Sequence, residues 1–270
     1  CRPAGNTPHH SRLQRPWLAW VFGTCRIMRM PIAAVVLAAG QGTRMGSNLH
    51  KVLHPLAGRP LLGHLLDTLD TLGVAKRVVV LGSGRYQITQ AFPGLNTVLQ
   101  EPQLGTAHAV RMAEKTLVDF KGTILVLYGD VPLVKATTMR RLCAVVDSDH
   151  SLAVLGFYPE DTRTYGRLVT NADAELESIV EHADGTMAQR EIGFCNSGIM
   201  AVRSDLLWPL LSTVGNDNRK GEYYLTDIVH LARKQGHRIA TAVAAEGEVT
   251  GVNSQIELQA LEQLLAEAVE

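Results

Sequence analysis

Apolar residues in this chain gather in short unbroken runs, separated by stretches with helical spacing. Ile32–Leu37, Arg77–Leu81, Thr97–Leu99, Thr123–Tyr128 and Leu152–Phe157 are dominated by aliphatic and β-branched residues. A strand that lacks polar alternation is buried on both faces, as in a parallel sheet sandwiched by helices. Leu61–Leu72, Thr106–Phe120 and Ala136–Val146 carry apolar residues at helical intervals. This alternation predicts an α/β fold: a mostly parallel mixed sheet with helices on both faces. Residues 164–203 differ, because Arg167–Val169, Leu176–Glu181 and Ile199–Val202 are short and alternating. They are expected to form a small antiparallel insertion or extension of the sheet. Helices are expected at 204–212, 223–236 and 254–269. No internal repeat is visible, and in particular no hexapeptide repeat of the kind that builds a β-helix.

The chain has 270 residues, 46% hydrophobic and 19% charged, enough for a sizeable core in one large domain or two small ones. Basic and acidic residues balance at 26 each, which argues against nucleic acid as the main partner. A small anionic substrate needs only a local basic pocket. Cys1, Cys25, Cys143 and Cys195 form no C-x-x-C pair, so reduced thiols of a cytoplasmic protein are expected rather than disulfides or a zinc site.

From Met30 onward no apolar run is long enough for a membrane span, and a membrane partner is not expected. Residues 1–30 hold five arginines, no acidic residue and the apolar cluster Trp17–Phe22. That cluster is short for a signal peptide, and no small-residue cleavage site follows it. Phe22-Gly23-Thr24 before Cys25 is a poor lipoprotein site, while an Arg-rich transit peptide also fits the composition. The chain does not begin with Met, and Met28 and Met30 directly precede the first strand. Residues 1–30 are therefore expected to be an extension, disordered or non-native.

The sharpest chemistry follows the first strand, in Leu37-Ala38-Ala39-Gly40-Gln41-Gly42-Thr43-Arg44-Met45. Ligands of open parallel sheets bind beyond the carboxyl ends of the strands. Glycines there let backbone N–H groups approach phosphate oxygens, and Arg44 and Lys51 add positive charge. The loop lacks the G-K-S/T of a P-loop and the third glycine of a dinucleotide fingerprint. Asp130 ends a buried strand, where a hard oxygen ligand for magnesium is wanted, although a turn or cap aspartate fits equally. Asn253 fits either a ligand or a helix cap. Gln100 and Gln103 are either polar loop residues or amides that pair with the edge of a base. Cys195 reads as core, and His54 and His108 as structural.

The L-A-A-G-x-G-T-R-M stretch with Lys51-Val52-Leu53-His54 resembles the opening motif of sugar-phosphate nucleotidyltransferases. Further blocks follow in order: Gln103–Ala109 (Q-L-G-T-A-H-A), Tyr128–Leu133, Tyr165-Gly166-Arg167, Ile179–His182, Asn196–Ile199, Gly221–Asp227 (G-E-Y-Y-L-T-D) and Gly251-Val252-Asn253. Together they are most similar to the uridyltransferase half of the bifunctional N-acetylglucosamine-1-phosphate uridyltransferase family, over about residues 31–269. The resemblance implies a Rossmann-like fold of the nucleotide-diphospho-sugar transferase type. It divides the chain into residues 1–30, a nucleotidyltransferase domain over 31–253, and a helix over 254–270. In the family that helix leads into an acetyltransferase β-helix, which also carries the trimer contacts and is absent here, so oligomeric state stays open.

The resemblance also implies roles. Leu37, Ala38, Ala39, Gly40, Gln100, Gln103, Gly105 and Thr106 face the nucleotide. Arg44 and Lys51 hold the triphosphate, with Lys51 nearest the attacked phosphorus. Asp130 and Asn253 hold Mg2+, which makes Lys51, Arg44 and Asp130 the catalytic set. Tyr128, Gly129, Gly166, Glu181, Asn196, Thr226 and Asn253 line the sugar-phosphate side; for Glu181 the residues alone indicate only a solvated strand face. Two departures stand out: Gln41 replaces a frequent Lys, and His50 replaces a usual Pro, so the loop carrying Lys51 is expected to be less rigid.

The implied reaction joins UTP and N-acetylglucosamine 1-phosphate into UDP-N-acetylglucosamine and pyrophosphate by Mg2+-assisted in-line displacement. Rival readings are a nucleotidyltransferase for another sugar phosphate or CTP, an inactive UDP-sugar-binding module, and, more remotely, a Rossmann oxidoreductase.

Overall fold

The computed structural model describes residues 30–40, 42–146, 149–162 and 165–267. The expectations for residues 1–29, Gln41 and the last turn of the final helix lie outside the described residues. The first half of the chain runs β1 (Ile32–Ala38), β2 (Pro55–Leu56), β3 (Arg59–Pro60), α1 (Leu61–Leu72), β4 (Lys76–Leu81), α2 (Arg85–Ala91), β5 (Thr97–Leu99), α3 (Thr106–Arg111), α4 (Glu114–Leu117) and β6 (Thr123–Tyr128). The second half runs α5 (Ala136–Ala144), β7 (His150–Phe157), β8 (Arg167–Thr170), β9 (Leu176–Val180), α6 (Met187–Arg190), β10 (Cys195–Arg203), α7 (Ser204–Thr213), α8 (Asp227–Lys234), β11 (Arg238–Val243), α9 (Glu246–Val249) and α10 (Gln255–Glu267).

Among the described residues the main sheet has nine strands along the path β11-β7-β10-β6-β1-β4-β5, with β8 and β9 branching from β10. β1 lies at its centre, parallel to both β4 and β6, with Leu37 opposite Val80 and Tyr128. Its unbroken apolar run is explained by two cores: Ala33, Val35 and Leu37 point into one, Ala34, Val36 and Ala38 into the other. α1 and α5 cover the second face, and α3, α7 and α8 the first. The chain leaves β1 toward β4 on one side and later returns to β6 on the other. That is a topological switch point, where a crevice opens beyond the strand ends.

A third, smaller core joins Met45, Leu56, Leu61, Val252, Leu258 and Leu261. Met45 is 2% exposed, and burying a side chain of this size contributes about 1.5–3 kcal/mol. The contact fastens the turn after β1 to α10 and to the residue before Asn253.

Several expectations need correction. Thr106–Phe120 is not one helix but α3 and α4, because Met112 and Ala113 bond back three residues, to Ala109 O and Val110 O. The tighter turn keeps Val110, Ala113 and Leu117 all on the sheet. β10 is no part of an insertion. It runs antiparallel within the main sheet between β6 and β7, and only β8 and β9 form the extension. The helix expected at 223–236 starts at Asp227, since the backbone of Tyr223 bonds to Leu104 O and Ala107 N instead. β11, unforeseen, is an edge strand of mixed burial parallel to β7. Cys143 and Cys195 are buried free thiols. Among the described residues no helix is long and apolar enough to cross a membrane.

Candidate active site

A cleft of about 290 Å³ opens at the carboxyl ends of β1 and β6. Its lining includes Leu37, Ala38, Ala39, Gly40, Lys51, Gln100, Gln103, Gly105, Thr106, Tyr128 and Asp130, which sequence separates widely and the fold brings together. Lys51 opens a short 3-10 turn whose next residues, Val52 and Leu53, are buried. Gly42 presses on the lysine stem: a Cβ at this position, which has φ 71°, would collide with Lys51 Cβ. Only glycine tolerates both the contact and the left-handed backbone.

Lys51 Nζ donates to Asp130 Oδ2 and, at 3.0 Å, to Asn253 Oδ1. The lysine and aspartate side chains are 13% and 16% exposed, so the pair is largely shielded from water. The backbone holds the trio in register. Gly129 N donates to Leu37 O at 2.9 Å, Val252 N to Asp130 O at 2.9 Å, and Asn253 N to Glu257 Oε2 at 2.7 Å. Two oxygen donors from different segments therefore converge on a cation. A carboxylate plus an amide oxygen also fits Mg2+, which takes few protein ligands and fills its remaining positions with water and phosphate oxygens.

The wall facing them is built from the segment after β5. Buried Gln100 donates through Nε2 to Gly105 O at 2.9 Å and pairs with His108 Nδ1 at 3.2 Å. Burial, with the charge of Arg111, lowers the His108 pKa and favours a neutral ring that accepts at Nδ1. Both Gln100 amide hydrogens are thus used internally, and its carbonyl oxygen is what the side chain can offer a base. Gln103 Nε2 donates to Ala39 O, tying this loop to the end of β1. Gly105, at φ 111°, lets the chain pass under Tyr223, whose carbonyl would lie 2.6 Å from a Cβ. Thr106 Oγ1 accepts from Leu225 N at 2.9 Å, so the 222–226 loop clasps the wall from outside.

A second polar cluster lies next to this cleft. Asn196 N donates to Gly166 O at 2.8 Å, and a Cβ on Gly166 would sit 3.6 Å from both Glu181 carboxylate oxygens. Burial raises the Glu181 pKa, opposed by the charge of Lys220 and the nearby Thr226 hydroxyl. Tyr128 connects the two groups: burial first, then the charges of Asp130 and Glu181, push its pKa well up. Its ring packs over Gly198, where a Cβ would come within 2.7 Å. Gly129 is buried behind Asp130, and Arg44 is exposed on its turn outside the cleft lining.

A comparison with protein families places this geometry. The profile of the MobA-like NTP transferase domain matches residues 34–193, more than half of the chain and most of the site. The chain belongs to the MobA-like NTP transferase family. Its similar relatives include the bifunctional protein GlmU of Rhizorhabdus wittichii, 53% identical over 237 residues, covering 86% of this chain and 52% of that protein. The GlmU of Rhodospirillum rubrum is 52% identical over 235 residues, with 86% and 52% covered. That of Zymomonas mobilis is 51% identical over 240 residues, with 87% and 53% covered. The chain spans about half the length of these relatives.

Two side chains of this NTP transferase domain escape sequence reasoning. Glu222 lines the cleft, although the motif containing it, G-E-Y-Y-L-T-D, is itself legible. Gln87 lies outside every motif and touches the segment before Lys51. His50 keeps φ −58° and ψ 139°, values a proline would accept, and its N–H donates to Gln87 Oε1 at 2.7 Å. The loop expected to be loosened there has a side-chain anchor instead.

Proposed function

We propose that this chain transfers the uridylyl group of UTP to N-acetylglucosamine 1-phosphate, producing UDP-N-acetylglucosamine and pyrophosphate. The observation that carries the proposal is the convergence of Lys51, Asp130 and Asn253 beside a cleft lined by Gly40, Gln100, Gly105 and Thr106. The choice of substrates is supported by the motif resemblance and by relatives about half identical. A phosphate oxygen of the sugar phosphate attacks the α-phosphorus, the bond to the β-phosphate oxygen breaks, and pyrophosphate leaves. The attacking phosphate is already anionic and needs no general base.

What the protein contributes is position and charge. Two anions that repel each other must be held in line, which aligned side chains do at no further entropic cost. Lys51 leaves Asp130 for the α-phosphate and neutralises charge as it builds. Asp130 and Asn253 are the residues that would hold Mg2+, which would supply positive charge to neutralise the phosphates. Leu37–Gly40, the Gln100 carbonyl oxygen, Gln103, Gly105 and Thr106 hold the nucleotide, and Arg44 approaches the triphosphate from the exposed turn. Tyr128, Gly129, Gly166, Glu181, Asn196 and Thr226 receive the amino sugar. The same reading gives a cytoplasmic enzyme that activates an amino sugar for peptidoglycan and lipopolysaccharide.

The test is a panel of nucleoside triphosphates and sugar 1-phosphates, followed as pyrophosphate release with Mg2+ and with EDTA. UTP with N-acetylglucosamine 1-phosphate should give the highest rate, lost in EDTA. A CTP preference, or UDP-sugar binding without turnover, refutes it.

A further inference from the structure

We infer that Gln87 is a positioning residue for Lys51, acting through a side-chain clamp on the three residues before it. The inference rests on the nucleotidyltransferase reading above for its activity readout only. Ser47, Asn48 and Leu49 are exposed, so little packing fixes the chain that delivers Lys51 to the cleft. Two devices hold it from the α2 side. The Gln87 amide spans the segment, accepting from His50 N at 2.7 Å and donating to Asn48 O at 2.9 Å. The His50 ring, 4% exposed, fills the space over Gly84, where any Cβ would collide with it.

Gly42 packs against the lysine stem itself. The segment that delivers Lys51 is thereby held by the start of α2, and the lysine stem rests on the glycine loop. Gln87 itself is exposed and lies outside the cleft lining, so it touches no reacting group. A side-chain amide that satisfies both a backbone donor and a backbone acceptor does what a turn of regular structure does elsewhere. A proline at position 50 would supply the same constraint differently, because φ −58° is already its value and it has no N–H to satisfy.

This equivalence makes the inference testable by rescue. In the full chain, Q87L should leave the His50 N–H without its acceptor and lower kcat about fivefold to tenfold, the scale of one hydrogen bond. KM for UTP should change less than about twofold, on the same scale. Q87E keeps the acceptor for the His50 N–H but sets a carboxylate oxygen against Asn48 O, so its rate should lie between those of Q87L and the unaltered chain. H50P/Q87L should recover part of the rate lost in Q87L, since proline removes the unsatisfied donor, but stay below the unaltered chain because the ring over Gly84 is gone. A Q87L rate equal to that of the unaltered chain, or losses that multiply in H50P/Q87L, overturns the clamp.

Hydrogen exchange at the His50 amide provides a readout independent of turnover. Exchange should be faster in Q87L than in Q87E, and protection in Q87L equal to that of the unaltered chain also overturns the clamp. If the unaltered chain releases no pyrophosphate from any substrate pair, the activity reading fails, while the exchange comparison still decides the clamp.

Discussion

The two sides of the cleft are built from different parts of the sheet and by different means. The side proposed to take the phosphates uses the ends of two parallel strands, β1 and β6, and concentrates charge: an ammonium, a carboxylate and an amide within direct bonding distance. The side proposed to take the sugar uses the β8–β9 extension, β10 and the loop before α8. It relies on hydrogen bonds and on a carboxylate whose ionisation burial opposes. The contrast fits what each side is proposed to hold. Phosphates demand compensation of charge, while hydroxyls and an N-acetyl group demand correctly placed donors and acceptors. Tyr128 stands between them and is affected by a carboxylate from each.

This comparison orders the expected consequences of substitution. The largest loss is expected for Lys51→Ala, about 10²–10³-fold in turnover, the scale of removing one group aimed at transition-state charge. Circular dichroism should be unchanged, and near-normal pyrophosphate release would remove Lys51 from its role. Asp130→Ala should lose a similar factor, and its residual rate should no longer respond to EDTA. A residual rate still abolished by EDTA would move the metal elsewhere.

On the sugar side the effect should be smaller and selective. Glu181→Ala should raise KM for the sugar phosphate about tenfold, one charge-assisted hydrogen bond, with KM for UTP unchanged. If KM for UTP rises equally, the two sides are not separable. Gly105→Ala tests the wall between nucleotide and loop. Its left-handed backbone and the Tyr223 carbonyl should cost about 1–3 kcal/mol of stability, read as a lower Tm.

The smallest effect concerns pH. Burial raises the Glu181 pKa in the folded state, so its stabilising contribution is present in acid and lost as pH rises through the raised value. Glu181→Gln should therefore have a Tm above that of the unaltered chain at pH 7, with the gap closing as pH falls through the ordinary carboxylate range. A gap that widens in acid would reverse the sign of the burial effect.

How much of this is legible in sequence follows the same divide. Strands buried on both faces announce themselves, as Thr123–Tyr128 does with the observed bounds, while Thr97–Leu99 is also found with its bounds but is an edge strand, half-buried to exposed rather than buried. β10 is misread because its outer end mixes Asn196, Ser197 and Gly198 into an otherwise apolar strand, which looks like a short alternating piece. α8 is placed too early because Leu225 stands three residues before Ile228 and four before Val229, a helical spacing, yet the backbone groups of Tyr223 and Leu225 bond to another loop. On the proposed phosphate side, residue type beside the glycine loop points to Lys51, whereas Asp130 fits a turn or cap equally until the motif resemblance is added. On the sugar side only the family resemblance singles out Gly166 and Glu181, since a carboxylate in an alternating strand usually faces water. Gln87 gives no local sign, because α2 buries only Ile88 and its role depends on a segment 37 residues away.

The most direct test is pyrophosphate release from UTP and N-acetylglucosamine 1-phosphate by the purified chain, in Mg2+ and in EDTA, beside Lys51→Ala. Release that requires both substrates, stops in EDTA and falls at least a hundredfold in the variant, roughly the scale of one transition-state contact, is the expected result. Release that persists in EDTA or survives the loss of Lys51 would contradict a site built on compensating phosphate charge.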